Sequence, residues 1–223
     1  MVASRTRLAL TAAMVRVRTF LCAFALLAAP ASPSAHAETL TFRGACFEGE
    51  RVLVAGVGDL LFHEALQRRA LAPGGSYGQF WKAVAPVIRG ADIAYANLEG
   101  PAAHGVAPGG YAVKDPGRTL DGRVYGTTPG SLVFNYPPSV AADIKAAGFA
   151  VVSTANNHAA DRGPLGIDRT IDNLDAAGLA FTGTRRRGET RPWSVTTRAK
   201  GMTVAWIACS YSTNGMPDPH AQV

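Results

Sequence analysis

Three short apolar runs in this chain each end in side chains that can bind a metal or move a proton. Phe149 to Ser153 leads into Ala155-Asn156-Asn157-His158, Val52 to Gly58 stops at Asp59, and Ala91 to Ala96 runs into Asn97-Leu98-Glu99-Gly100. Amides make poor core filling, because a buried polar group without a hydrogen-bond partner costs about 1–3 kcal/mol. Asn157 offers a carbonyl oxygen and His158 a ring nitrogen, each able to ligate a metal or to contact an oxyanion. Asp59, Asn97 and Glu99 add oxygen donors, and Glu99 is also a candidate general base. Mixed oxygen and imidazole donors suit a divalent metal such as Mn2+, Zn2+, Fe2+ or Mg2+. A metal held by Asp59, Glu99 and Asn157, with Asn97 beside them, would acidify a bound water and polarise a phosphoryl oxygen. Each residue also has a plainer reading. Asp59 is a candidate helix cap, Asn97 and Glu99 candidate turn residues, Asn156 a structural turn residue, and Asp161, just before Gly163-Pro164, another helix cap.

For these residues to meet, the runs must be parallel neighbours with their carboxyl ends on one edge, where ligands bind in open α/β sheets. From Arg51 onward, strand-like runs alternate with helical patterns, which predicts an α/β fold. Phe80, Val84, Val87 and Ile88 recur at helical spacing. Pro138 to Ala147 predicts a second helix, closed by Gly148 as a left-handed cap. Pro164 opens a third helix that reaches about Ala177 and ends at Gly178. Trp193 to Arg198 and Met202 to Cys209 flank Ala199-Lys200-Gly201 and predict a hairpin. Residues 102–131 are rich in Gly and Pro, with little apolar periodicity. Their length and position predict either a mobile surface loop or a lid over the site, with Lys114, Arg118 and Arg123 meeting an anionic substrate.

Taken together, Gly58-Asp59, Ala91-Asp92-Ile93 with Asn97-Leu98-Glu99, and Ala147-Gly148-Phe149 through Asn156-Asn157-His158 to Asp161-Arg162-Gly163 resemble the CapA family. The resemblance continues through Gly166 to Leu174 and returns at Cys209 to Gly215, so it covers most of residues 50–216. It implies a layered αββα sandwich like that of the metallophosphoesterases, of which this chain carries the N-terminal part. It also implies a role in capsule or poly-γ-glutamate synthesis, with the synthesis machinery at the membrane and an anionic polymer as partners. By the same resemblance Asn157 ligates the metal, and His158 stabilises or protonates the leaving oxygen. Leu61 stands where related phosphoesterases carry a histidine, and His63 lies four residues after Asp59. The family domain usually continues past the Thr213-Asn214-Gly215 region, so the chain is expected to be an incomplete domain encoding half of a two-metal centre. Three readings stay open: a metal-dependent phosphoester hydrolase, a non-catalytic accessory that binds an anionic surface polymer, and an inactive fragment.

Other chemistries have little support. Gly56-Val57-Gly58 suggests a dinucleotide loop, but Leu61 replaces the third glycine and Asp59 would repel a pyrophosphate. Gly-x-Ser-x-Gly is absent, and no histidine neighbours a plausible serine or cysteine nucleophile. The chain has 22 basic and 16 acidic residues, a net charge of +6. Arg5, Arg7, Arg16 and Arg18 precede an apolar run from Phe20 to Ala29 and then Ala35-His36-Ala37. This predicts a signal peptide over residues 1–37, with export to the periplasm or cell surface, or a membrane anchor if it is not cleaved. The run is too short for the roughly 20 residues of a stable membrane span. Without residues 1–37 the chain carries 18 basic and 16 acidic side chains, a net +2, and nucleic acid loses its main support as a partner. Residues 38–49 read as a leader and 50–223 as the domain. Cys46 and Cys209 either pair in an oxidising compartment or, for Cys209 in its apolar run, leave a buried inert thiol. Arg185-Arg186-Arg187 reads either as a solvated turn or as a contact for an anionic polymer or phosphate.

Overall fold

The computed structural model describes residues 49–127 and 132–223, so the expected signal peptide, the leader and Cys46 lie outside the described residues. Four parallel strands form the central sheet: β1 (Val54–Leu60), β2 (Ile93–Leu98), β5 (Val151–Ser153) and β6 (Ala180–Thr182), in the order β1-β2-β5-β6. The three apolar runs of the sequence are β1, β2 and β5, adjacent and pointing the same way, so their carboxyl ends share one edge of the sheet. The expected α/β class is therefore borne out.

Alternation along β2 divides the sheet into two faces. Ala94, Ala96 and Leu98 enter the main core with residues of the helices: Ala70 from α1 (Glu64–Leu71), Ile88 from α2 (Ala85–Gly90), Val140 and Ile144 from α3 (Ser139–Ala147), and Ile167, Ile171 and Leu174 from α4 (Gly163–Ala176). Tyr95 faces the other way and stacks on Trp206, with ring centroids 5.4 Å apart and planes within 4°. Trp206 belongs to an antiparallel hairpin of β7 (Ser194–Ala199) and β8 (Met202–Ile207). Its two turn residues, Lys200 (φ 47°) and Gly201 (φ 75°), are left-handed, as the twist of a tight hairpin demands. The turn is tied to the start of the sheet: Asp92 Oδ2 accepts from Lys200 Nζ at 2.8 Å and from the Leu53 amide at 2.7 Å.

The helix expected from Phe80, Val84, Val87 and Ile88 is split in two. A 3-10 turn (Tyr77–Phe80) and the short α2 replace it, with Pro86 in the first turn of α2. Val84 and Val87 face solvent, so the apparent stripe is not a buried one. The second and third expected helices form as α3 and α4, and Gly148 adopts the predicted left-handed cap at φ 111°.

Within residues 102–127, the stretch expected to be a mobile loop or lid is packed at its two ends and exposed over most of residues 109–123. Ala102, Ala103, Val106, Ala107, Val124 and Tyr125 are buried. Side chains hold its backbone: Thr170 Oγ1 accepts from the Ala102 amide at 3.0 Å, and the buried Asn135 amide donates to Ala103 O and Val124 O, each at 2.8 Å. Asn135 lies on β4 (Phe134–Asn135), which pairs with β3 (Gly126–Thr127). Hydrogen bonds from side chains give this segment the backbone partners that regular secondary structure would otherwise supply.

One further expectation is corrected. Cys209 is exposed rather than buried. The triple arginine lies at a partly solvated turn, one of its two expected readings: Arg186 pairs with Asp172 and Asp175 at 2.8 Å each, Arg187 with Asp168 at 2.6 Å, and Arg185 lies over the Trp193 ring. No helix among the described residues is long and apolar enough to cross a membrane.

Candidate functional site

A β-bulge places the first acid. Gly56 pairs with Tyr95 but Asp59 pairs with Asn97, so β1 spends three residues where β2 spends two. An unbroken ladder would oppose Asp59 to Leu98, on the face that fills the core. The extra residue turns Asp59 to the side of Asn97, and two glycines flanking Val57 make the irregularity easy to adopt. Asn97 Nδ2 then donates to Asp59 Oδ1 at 2.8 Å.

Asn156 joins the ends of β2 and β5. Its Nδ2 donates to Leu98 O at 2.9 Å and Asn97 Oδ1 at 3.2 Å, while its Oδ1 accepts from the His158 amide at 3.1 Å and the Gly100 amide at 3.4 Å. This is the structural role expected of it. The loop also needs Gly183 beneath it, at φ 103°: a Cβ there would sit 2.5 Å from the Ala155 Cβ.

Glu99 follows β2 directly. Tyr136 OH donates to its carbonyl at 2.7 Å and accepts from the Phe62 amide at 3.3 Å, which fixes the backbone at this point. The Glu99 carboxyl neighbours Asp59, near enough for a hydrogen bond between them to act on its titration. Burial, and then that bond and the charge of Asp59, push it above the ordinary glutamate range, partly offset by His158. Two carboxyls in contact must share either a proton or a cation.

His158 is buried and faces Glu99, with Nε2 3.8 Å from Glu99 Oε1. On its other side Nδ1 lies 2.9 Å from Asp161 Oδ2, which also accepts from the Phe134 amide at 2.7 Å. An ionised carboxylate only accepts, so Nδ1 carries a proton and Nε2 faces the site. Phe134 packs edge-on against the imidazole at 4.8 Å. Burial pushes Asp161 above the ordinary aspartate range, opposed by the Phe134 amide and His158. Asp161 is thus an orienting group for the histidine. Helix α4 begins at Gly163, and Arg162 stands at its cap position without a side-chain cap bond, so the capping role expected for Asp161 is not the one it plays.

The structure unites Asp59, Asn97, Glu99 and His158 and sets Asn157 slightly apart. Asn157 Nδ2 donates to Asn214 Oδ1 at 3.2 Å, and Asn214 Nδ2 lies 3.5 Å from His158 Nε2. Asn214 was quoted in the sequence only within a motif, and nothing local marked it as a neighbour of His158. The three basic residues expected to meet substrate are elsewhere. Arg118 donates to Ala70 O and Gly75 O, Arg123 to Tyr111 OH, and Lys114 is exposed between the packed ends of residues 102–127.

The donor set fits a divalent cation in part. Asp59 and Glu99 form a paired-carboxylate site of the kind a cation relieves, and the oxygens of Asn97 and Asn157 are the remaining candidate ligands. Among the described residues, no group of three His, Cys, Asp or Glu side chains is arranged to hold a metal, so such a site depends on amide oxygens and water.

Comparison with protein families now has a fold and a site to attach to. Residues 53–223 match the family model described as bacterial capsule synthesis protein PGA_cap, and the chain belongs to that family. This bears out the resemblance read from the strand-end motifs. No curated relative matches the chain.

Proposed function

We propose that the protein is an exported, metal-dependent phosphoester hydrolase acting in capsule synthesis. The contact between the Asp59 and Glu99 carboxyls, next to a histidine held by a buried aspartate, carries this reading. Asp59, Glu99, Asn97 and Asn157 would hold the cation. When bound, it supplies Lewis-acid activation of water and phosphoryl oxygen. The water oxygen forms the new P–O bond and its proton passes to Glu99. The bond to the leaving group breaks, and the leaving oxygen takes the proton of the protonated His158 ring from Nε2.

The reading of the chain as a polymer-binding accessory has less support. Arg186 and Arg187 are already paired with acids, and Arg118 is spent on backbone carbonyls. Export and the synthesis machinery at the membrane as partner rest on the sequence of residues 1–37 and on the family.

The test is metal content by mass spectrometry on the purified protein, beside the Asp59→Ala/His158→Ala double variant. Near-stoichiometric metal in the parent, lost in the variant together with phosphate release, is the expected result. A folded parent that takes up no metal would remove the hydrolase reading and return the polymer-binding one.

A further inference from the structure

Beside His158 lies a cleft of about 380 Å3, lined by Leu132, Val133, Asn157, His158, Asp161 and Asn214, with Met216 at its rim. It lies on the side of the imidazole away from the core, where Asn214 Nδ2 approaches Nε2 at 3.5 Å. Three apolar side chains form the walls, two amides bonded to each other supply donors and acceptors, and among the described residues no lysine or arginine lines it. Asp161 is sealed, with a side-chain exposure of 2%, and is bonded to the Phe134 amide and to His158.

A cleft of this kind holds an anion less well than a neutral group. Phosphate and carboxylate groups are recognised by arginine forks, lysines or clustered backbone amides, and here an anion would meet only the His158 ring, beside the Glu99 carboxyl. Hydroxyl and amide groups match it: Asn157 and Asn214 can each donate and accept, and the walls take the carbon skeleton. The position of His158 agrees with this. A general acid is needed when the leaving oxygen is an alkoxide, and far less when it is already a stabilised phosphate anion.

We infer that this cleft is a leaving-group subsite for a neutral alcohol bearing hydroxyl or amide groups, with Asn157 and Asn214 as its specificity residues. The inference rests on the hydrolase reading. The substrate is then a phosphoester of such an alcohol, and phosphoanhydrides are disfavoured because their leaving group is an anion.

Phosphate release from N-acetylglucosamine 6-phosphate and from inorganic pyrophosphate, in the full chain with added Mn2+, tests it. The sugar ester is expected to be favoured by at least about tenfold in kcat/KM, although pyrophosphate carries the better leaving group. Asn214→Ala should lower kcat/KM for the sugar ester alone. Leu132, at 63% exposure, tolerates a charge, and Leu132→Lys should move the ratio toward pyrophosphate. Preference for pyrophosphate in the parent, or a ratio that neither variant moves, overturns the inference. If neither compound is turned over, the hydrolase reading fails, and binding alone judges the subsite. Side-chain amide resonances of Asn157 and Asn214 that move with N-acetylglucosamine and not with inorganic phosphate support it; the opposite pattern overturns it.

Discussion

Asp161 decides which nitrogen of His158 can act. Its carboxylate accepts a hydrogen bond from Nδ1–H and leaves Nε2 toward Glu99, and it is held in turn by the Phe134 amide. Asp161→Asn can set its amide oxygen where Oδ2 stood, accepting from both the Phe134 amide and Nδ1, and should keep the tautomer. Asp161→Leu removes the acceptor, so the neutral ring should move its proton to Nε2. Activity is expected to fall by about 100-fold or more, in line with the usual worth of a positioned general acid. Nitrogen NMR of the imidazole checks the cause, since a merely structural loss would not exchange the two ring nitrogens. Glu99 carries the second prediction at this scale. Its pKa is raised in the folded protein, so the folded state holds its proton more tightly than the unfolded chain does. Stability is thus undiminished below the ordinary glutamate pKa and is lost as pH rises through the raised value. Glu99→Gln should therefore raise the melting temperature of the metal-free protein near neutral pH and change it little in acid. Thermal melts at both pH values decide this, and Mn2+ should stabilise the parent more than the variant. The strand-end residues were legible because an acid or amide behind an apolar run is chemically conspicuous. Asp161 was not, because its partner Phe134 lies 27 residues away and its local sequence mimics a helix start.

Elements turn those residues into a site, and the bulge in β1 shows how narrowly. One extra residue between Gly56 and Asp59 brings Asp59 to the face of Asn97. Deleting Val57 alone should close the bulge and leave Asp59 opposite Asn97, so metal uptake should survive. Deleting Val57 and Gly58 together sets Asp59 opposite Ala96, on the face that fills the core, where a charge is costly to bury. In that double deletion metal uptake is expected to disappear and the melting temperature to fall. Equal metal content in the two variants would show that the face on which β1 presents Asp59 does not decide the site. Strands β1, β2 and β5, helices α3 and α4 and the hairpin could be read from periodicity and turn residues, since each is specified locally. Helix α1 and strand β6 could not, because the mixed charges of Glu64 to Leu71 and the three residues Ala180 to Thr182 carry little pattern. The ends of residues 102–127 misled for another reason. Their backbone partners are side chains of α4 and β4, such as Thr170 and Asn135, so a composition that suggests looseness belongs to a segment packed at both ends.

At the scale of the whole molecule, the sheet has, among the described residues, a well-covered side and an open one. Helices bury one face of the sheet, while the hairpin covers the other around Tyr95 and leaves β1 at the margin. Leu53, Val54 and Val57 are 60%, 44% and 39% exposed, and Ile207 on the hairpin is 77% exposed. From Val52 to Gly58 the chain carries no charge and no proline, the two devices by which edge strands usually resist pairing with another chain. Sequence could not reveal this, because an apolar run reads alike whether its strand is central or marginal. The edge predicts concentration-dependent self-association of the purified protein. Leu53→Lys adds a charge at an exposed side chain and leaves intact the backbone bond from the Leu53 amide to Asp92. Light scattering across a concentration series should show association in the parent and a clear reduction in the variant, with the melting temperature little changed. Identical scattering for the two would mean that the β1 edge is not what draws copies of the chain together, and that Ile207 and the hairpin are the surface to alter next.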